Sequence, residues 1–263
     1  MSVTFWSELA LILVGITAVY VSFMRSTVPQ VMPIAVPTRA ALPAVPRDRL
    51  EKELQALGFH FVGDYDVSMM SDITTRLRAY LSHDRLCAAG LIDLKTTGQA
   101  VTALEFHTQL YPSGNITTST SSHPRIFSYP PDKMLAQVPW KKTAAEVFEL
   151  HQMLCETAAC EKFTPAKIDS DGLADAIRTD TRRDLDYQVR NGRFKKIAPD
   201  QYRLTLFGAI IAVPIVWFHM CYKGLFFWYK PSNRIFLRRL QRRLQRFRLS
   251  VRSRENDGGR TKA

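Results

Sequence analysis

Acidic residues are scarce and unevenly spread in this chain of 263 residues: 24 Asp/Glu face 36 Lys/Arg, a formal charge of +12. Residues 25–203 are nearly balanced, with 23 Lys/Arg against 21 Asp/Glu, so that segment has no need of a polyanionic partner. Glycine is sparse as well, and none of the 12 falls into a Walker or dinucleotide-binding pattern, which excludes phosphate loops of those kinds. Of the four cysteines, Cys155 stands one helical turn after His151, but no second His/Cys pair completes a zinc site. Cys155 and Cys160 can bridge only if a helix ends between them, and Cys87, alternating with apolar neighbours, reads as core. No glycine flanks the serines of residues 117–122, so there is no nucleophile elbow. Asp64-Tyr65-Asp66 has too few oxygen ligands nearby for a calcium loop, and Asn115-Ile116-Thr117 is a formal glycosylation sequon only. No metal and no cofactor are expected.

Charge is missing altogether from two stretches. Residues 204–222 form an uncharged run of 19, close to the roughly 20 residues that cross a hydrocarbon core. Trp217, Phe218, Phe226, Phe227, Trp228 and Tyr229 crowd its end, where amphipathic rings favour a headgroup region. Pro214 inside it implies a kink, and His219 falls near the interface. Residues 9–24 form the second stretch, 16 long, with no basic residue before it and no small-residue cleavage site after it. Both runs therefore predict transmembrane helices, at 1–24 and 204–229. Residues 25–46 hold Pro29, Pro33, Pro37, Pro43 and Pro46, the composition of a semi-rigid extended linker.

Most of the net charge lies in the tail. From Lys223 to Ala263 there are 13 Lys/Arg against Glu255 and Asp257, or +11. Leu237, Leu240, Leu244, Phe247 and Val251 recur at helical spacing. Arg234, Arg238, Arg239, Arg242, Arg243, Arg246 and Arg248 fill most of the positions between them. Residues 230–254 are thus expected to form a basic amphipathic helix that holds anionic lipid headgroups, with a disordered end at 255–263. Nucleic acid is the disfavoured polyanion, because the bilayer is closer. By the positive-inside rule both termini should be cytoplasmic and the central domain extracytoplasmic in a bacterial inner membrane; the alternative keeps that domain cytoplasmic.

Between the apolar runs, residues 47–164 predict an α+β domain. A helix with Leu50, Leu54 and Leu57 on one face leads into strands around Phe59–Tyr65, 73–81, 86–94, 100–110 and 116–120. These form an antiparallel sheet, covered on one face by helices such as 143–158. Residues 165–203 add a charged helix, capped by Ser170 or Asp171 and ended at Asn191-Gly192, and a hairpin around Ala198-Pro199-Asp200. Asp175, Asp180, Asp184 and Asp186 offset the basic residues that a nucleic-acid reading face would need.

Glu105 and His107 share one face of a strand, with His123 beyond the next turn, and they are the candidate polar site. On an open sheet face the same spacing needs no chemistry. Residues 59–66 (FHFVGDYD), 104–110 (LEFHTQL) with Tyr111-Pro112-Ser113-Gly114, and 187–208 (YQVRNGRFKKIAPDQYRLTLFG) resemble segments of uncharacterised bacterial membrane-anchored proteins with two spans. That resemblance implies a bacterial source and no activity. The expected function is a non-catalytic, membrane-anchored binding or scaffold subunit of a membrane or envelope assembly, with a membrane-protein partner. The alternative is an envelope enzyme whose site is dispersed through the α+β domain. A deep polar cleft at Glu105, His107 and His123 would favour the enzyme, and an exposed apolar patch would favour binding.

Overall fold

The computed structural model describes residues 12–20, 25–27, 30–33, 45–70, 73–96, 99–111, 114–121, 127–141, 143–159 and 163–228. Its main sheet is built from β2 (Gln30–Pro33), β3 (Phe59–Met70), β4 (Ile73–Ser82), β5 (Ala88–Thr96), β6 (Gln99–Tyr111), β7 (Asn115–Ser119) and β8 (Lys133–Gln137), neighbours in that order. Every pairing is antiparallel except β7 with β8, which is parallel; the expected all-antiparallel sheet is corrected at that edge. The reason is the connection: the chain leaves β7 at Ser119 and returns at Lys133 in the same direction, which no tight turn permits. The short β9 (Thr164–Pro165) pairs with the end of β6.

Strand alternation assigns the two faces of β6. Leu104, Phe106 and Leu110 face α2 (Val45–Ala56) and α3 (Ala144–Ala159), where Leu54, Val147 and Leu154 are fully buried. Phe59, Phe106 and Phe148 make tilted and edge-on contacts at 5.1–5.4 Å in this layer. α2 is held further by Arg78, which donates to both Asp64 and Glu51, and it stops at Gly58, whose φ of +83° suits only a residue without Cβ. α3 opens with a capping box, in which the Glu146 amide donates to Thr143 Oγ1 and the Thr143 amide to Glu146 Oε2, both at 3.3 Å.

The opposite face is covered by α4 (Leu173–Arg190), through Leu173, Ala174 and Ile177 against Tyr65, Val67, Ala79, Leu81 and Ala88. Helices thus lie on both faces, where one was expected. The expected Ser170 or Asp171 cap does not form: Gly172 is the N-cap and makes no side-chain bond. Asn191 and Gly192 do end the helix, and β10 (Phe194–Ala198) and β11 (Gln201–Leu204) follow as a hairpin, with β1 (Arg25–Thr27) on the other side of β11.

Leu204 belongs to β11, and Thr205 caps α5 (Leu206–Trp228), its Oγ1 accepting the Gly208 amide at 3.0 Å. The helix at residues 12–20, α1, packs on α5 through Ala18, Ala209, Ala212 and Val213, with Val14 and Trp217 beside them. Among the described residues no helix is long and apolar enough to cross a membrane. The two predicted transmembrane helices are corrected accordingly, together with the integral inner-membrane placement and the topology drawn from them. The inward face of α5 is committed to packing on α1 and Leu204.

Gly208 anchors this junction. A Cβ at that position would lie 2.2 Å from the Arg193 carbonyl oxygen, which already accepts the Thr205 amide at 2.9 Å. Alanine normally stabilises a helix relative to glycine, but here it must displace backbone. Gly208→Ala is expected to destabilise the protein by about 1–3 kcal/mol, read from the urea midpoint. An unchanged or higher midpoint would contradict this packing.

Candidate functional site

Glu105 and His107 of β6, Asn115, Thr117 and Ser119 of β7, and Lys133 of β8 carry polar side chains on one face of the sheet. Glu105 pairs with Ser119 and His107 with Thr117 across the β6–β7 ladder, and Lys133 stands beside Asn115 on the parallel neighbour. The Lys133 ammonium donates to Asp180 Oδ2 at 2.6 Å and to Asp184 Oδ2 at 2.5 Å. Asn115 Nδ2 donates to Asp180 Oδ1 at 2.6 Å, and His107 Nδ1 shares a hydrogen bond with Thr117 Oγ1 at 3.1 Å. Arg183 reaches from the same helix to the buried Asp132. Asp180 and Asp184 are one helical turn apart, so both carboxylates meet the sheet together.

Burial governs the electrostatics. It pushes the Glu105 carboxyl up, against the Ser119 hydrogen bond and the Lys133 charge, and it pushes His107 down to about 4, with Asp180 opposing. Burial alone would lower Lys133, but the two aspartates outweigh it and raise the ammonium. One cation between two carboxylates leaves a negative charge unneutralised. Burial, with Asp180 repelling, accordingly lifts Asp184 to about 6 despite the cation.

Glu105 and His107 are therefore brought together as expected, but not on an open sheet face. α4 reaches this face through Asp180 and Asp184, which accept from Lys133 and Asn115, and Glu105 and His107 are left partly buried beside them. His123 and the tail arginines, Arg234, Arg238, Arg239, Arg242, Arg243, Arg246 and Arg248, lie outside the described residues, as does Cys160. His151 is buried with both ring nitrogens taken, Nε2 by Thr108 and Nδ1 by Thr118, at 2.9 and 3.0 Å, which leaves no lone pair for a metal shared with Cys155. Burial pushes the Cys87 thiol up to about 12 and Cys155 to about 11, so both are inert thiols. Asn115 is buried and bonded to Asp180, which removes it as a glycosylation acceptor. Asp64 and Asp66 face arginines, Arg78 and Arg76.

Asp180 and Asp184 were read from the sequence only as charge that offsets a nucleic-acid face, and their meeting with Lys133 was not foreseen. The four-residue spacing of the aspartates was a legible signal of one helix face, whereas Lys133 follows Pro130-Pro131 in a five-residue strand too short to show a period.

A second feature lies on the α1–α5 pair. Its outward side chains are apolar and exposed: Ile12, Ile16 and Tyr20 on α1 at 58–69%, and Leu206, Phe207 and Ile210 on α5 at 52–59%. Searches against protein-family models, curated proteins and solved structures find no match to this chain. The likeness to two-span bacterial proteins rests on the quoted segments alone. What fold and site define is a class: an α+β domain with helices on both faces of its sheet, a partly buried polar layer between sheet and α4, and an exposed apolar helix pair.

Proposed function

We propose that the chain is a non-catalytic binding subunit that works at an anionic lipid surface and presents its α+β domain to a protein partner. The apolar outer face of α1 and α5 carries this reading. Large apolar side chains half or more exposed on two adjoining helices exceed the scatter of single surface hydrophobes and call for an apolar cover. Lipid is favoured over a protein cover by charge, since α5 leads into the +11 segment from Lys223 onwards, and each cation near an anionic surface contributes on the order of 1 kcal/mol. Attachment of this kind is peripheral and requires no helix to cross the bilayer.

Flotation with vesicles tests it. The full chain, diluted from detergent, is expected to float with vesicles containing anionic lipid and to stay behind with neutral ones, and high salt should weaken the association. The double variant Phe207→Asp/Ile210→Asp should bind at least tenfold more weakly, since burying a carboxylate opposes apolar contact. Equal recovery with neutral vesicles, or unimpaired flotation of the variant, would refute the reading.

A further inference from the structure

Where β3 bulges at Phe61–Gly63, a cleft of about 560 Å³ opens against the start of α4. Its volume is that of a small-ligand site. Tyr65 forms part of its lining and is only 8% exposed. The phenol lies over Gly63, where an added Cβ would sit 3.4 Å from the hydroxyl, and that hydroxyl makes no hydrogen bond among the described residues. The hydroxyl is not shut off from solvent and Tyr65 lines the cleft, so it can meet a ligand there. Burial first, and the charge of Asp171 second, raise its pKa and keep it a protonated hydroxyl able both to donate and to accept.

The remaining walls decide the sign of that ligand. Phe61 is half exposed, and with Val62 and Ala174 it supplies an apolar side. Asp171 lies at the rim, accepting only from Ser170 at 3.3 Å, and Asp169 is exposed just before it, whereas Asp175 in the first turn of α4 is already paired with Arg178. The amino end of α4 opposes these with only about half a positive charge. Arg78, which stacks at 5.3 Å from the Phe61 ring, is already paired with Asp64 and Glu51. The balance is negative, beside an aromatic ring.

We propose that this cleft binds an arginine side chain of a partner polypeptide, its stem along Phe61, Val62 and Ala174 and its guanidinium on Asp171, donating one hydrogen bond to the Tyr65 hydroxyl. A planar cation with several fixed donors satisfies the carboxylate and the phenol together, which an ammonium does less well. The aliphatic part covers the apolar wall. The site is separate from the α1–α5 face, and its test contains no lipid, so failure of one leaves the other standing.

The full chain in detergent is titrated with N-acetylarginine amide while backbone amide resonances are followed by NMR. A single side chain should bind in the millimolar range. Saturable shifts at Val62 and Ala174 are expected, with N-acetylcitrulline amide and inorganic phosphate each at least tenfold weaker. Asp171→Asn should weaken the arginine probe about fivefold or more, from loss of the charged partner. Tyr65→Phe should weaken it about threefold without lowering the unfolding midpoint, because deleting a hydroxyl that has no protein partner orphans nothing. The proposal is overturned by equal binding of the citrulline compound, by preferential binding of phosphate, by no shift at about 50 mM probe, or by wild-type binding in both variants.

Discussion

Replacing Lys133 by methionine is expected to cost about 3–5 kcal/mol of stability, because it strands two carboxylates that are only about one-fifth exposed. The loss exceeds that of the packing alone, since methionine keeps most of the aliphatic stem. Neutralising both partners in the same background, Lys133→Met/Asp180→Asn/Asp184→Asn, should restore most of it. Urea unfolding followed by circular dichroism measures all three proteins. A single variant within about 1 kcal/mol of wild type would mean that α4 does not seal this layer.

A crossover in pH is expected for His151→Gln. His151 is pushed down to about 3, chiefly by burial and then by the nearby His107. Between its ordinary value near 6.5 and that depressed value, the unfolded chain binds a proton that the folded chain refuses, so stability falls as pH falls. His151 should therefore remove on the order of 2–3 kcal/mol from the wild type between pH 6.5 and 4.5, a loss that glutamine cannot suffer. At pH 7.5 the variant should be less stable by about 1–2 kcal/mol, from poorer hydrogen bonds to Thr108 and Thr118. At pH 4.5 it should match or exceed the wild type. His107 acts in the same direction, while Asp184 and Glu105, both raised, act in the opposite one; only the difference between variant and wild type isolates His151. Parallel pH profiles of the two proteins would rule out a neutral, buried His151.

Much of the local structure was legible because it is written in short periods. The leucines at 50, 54 and 57 mark α2, the alternation of Leu104, Phe106 and Leu110 marks β6, and Asn191-Gly192 ends α4 as such pairs do. Glu105 and His107 were also readable as neighbours, since two residues apart on a strand means one face. Their burial was not readable. Strand periodicity says which side chains share a face and nothing about what covers it, and the cover, α4, lies some seventy residues away in sequence.

The apolar runs show the same limit from the other side. Hydropathy made residues 9–24 and 204–222 look alike as spans, but hydropathy cannot tell where backbone hydrogen bonding changes partner. Leu204 is taken by a ladder with Phe194, Thr205 by a cap, and the small residues Ala18, Ala209 and Ala212 by helix–helix contact.

Sequence alone determined α2, the strands from Phe59 to Ser119, α3, α4, the β10–β11 hairpin and the distribution of charge, because these depend on neighbours within a few residues: turn chemistry, period and composition; β1, β2 and β8, paired only across the sheets, left no such mark. Tertiary structure decided which polar face α4 approaches, that Lys133 meets Asp180 and Asp184, that β8 runs parallel to β7, and that the Tyr65 hydroxyl lines a cleft with Asp171. Each of these joins residues tens of positions apart, and such contacts form only when the whole sheet and both helical layers close around them.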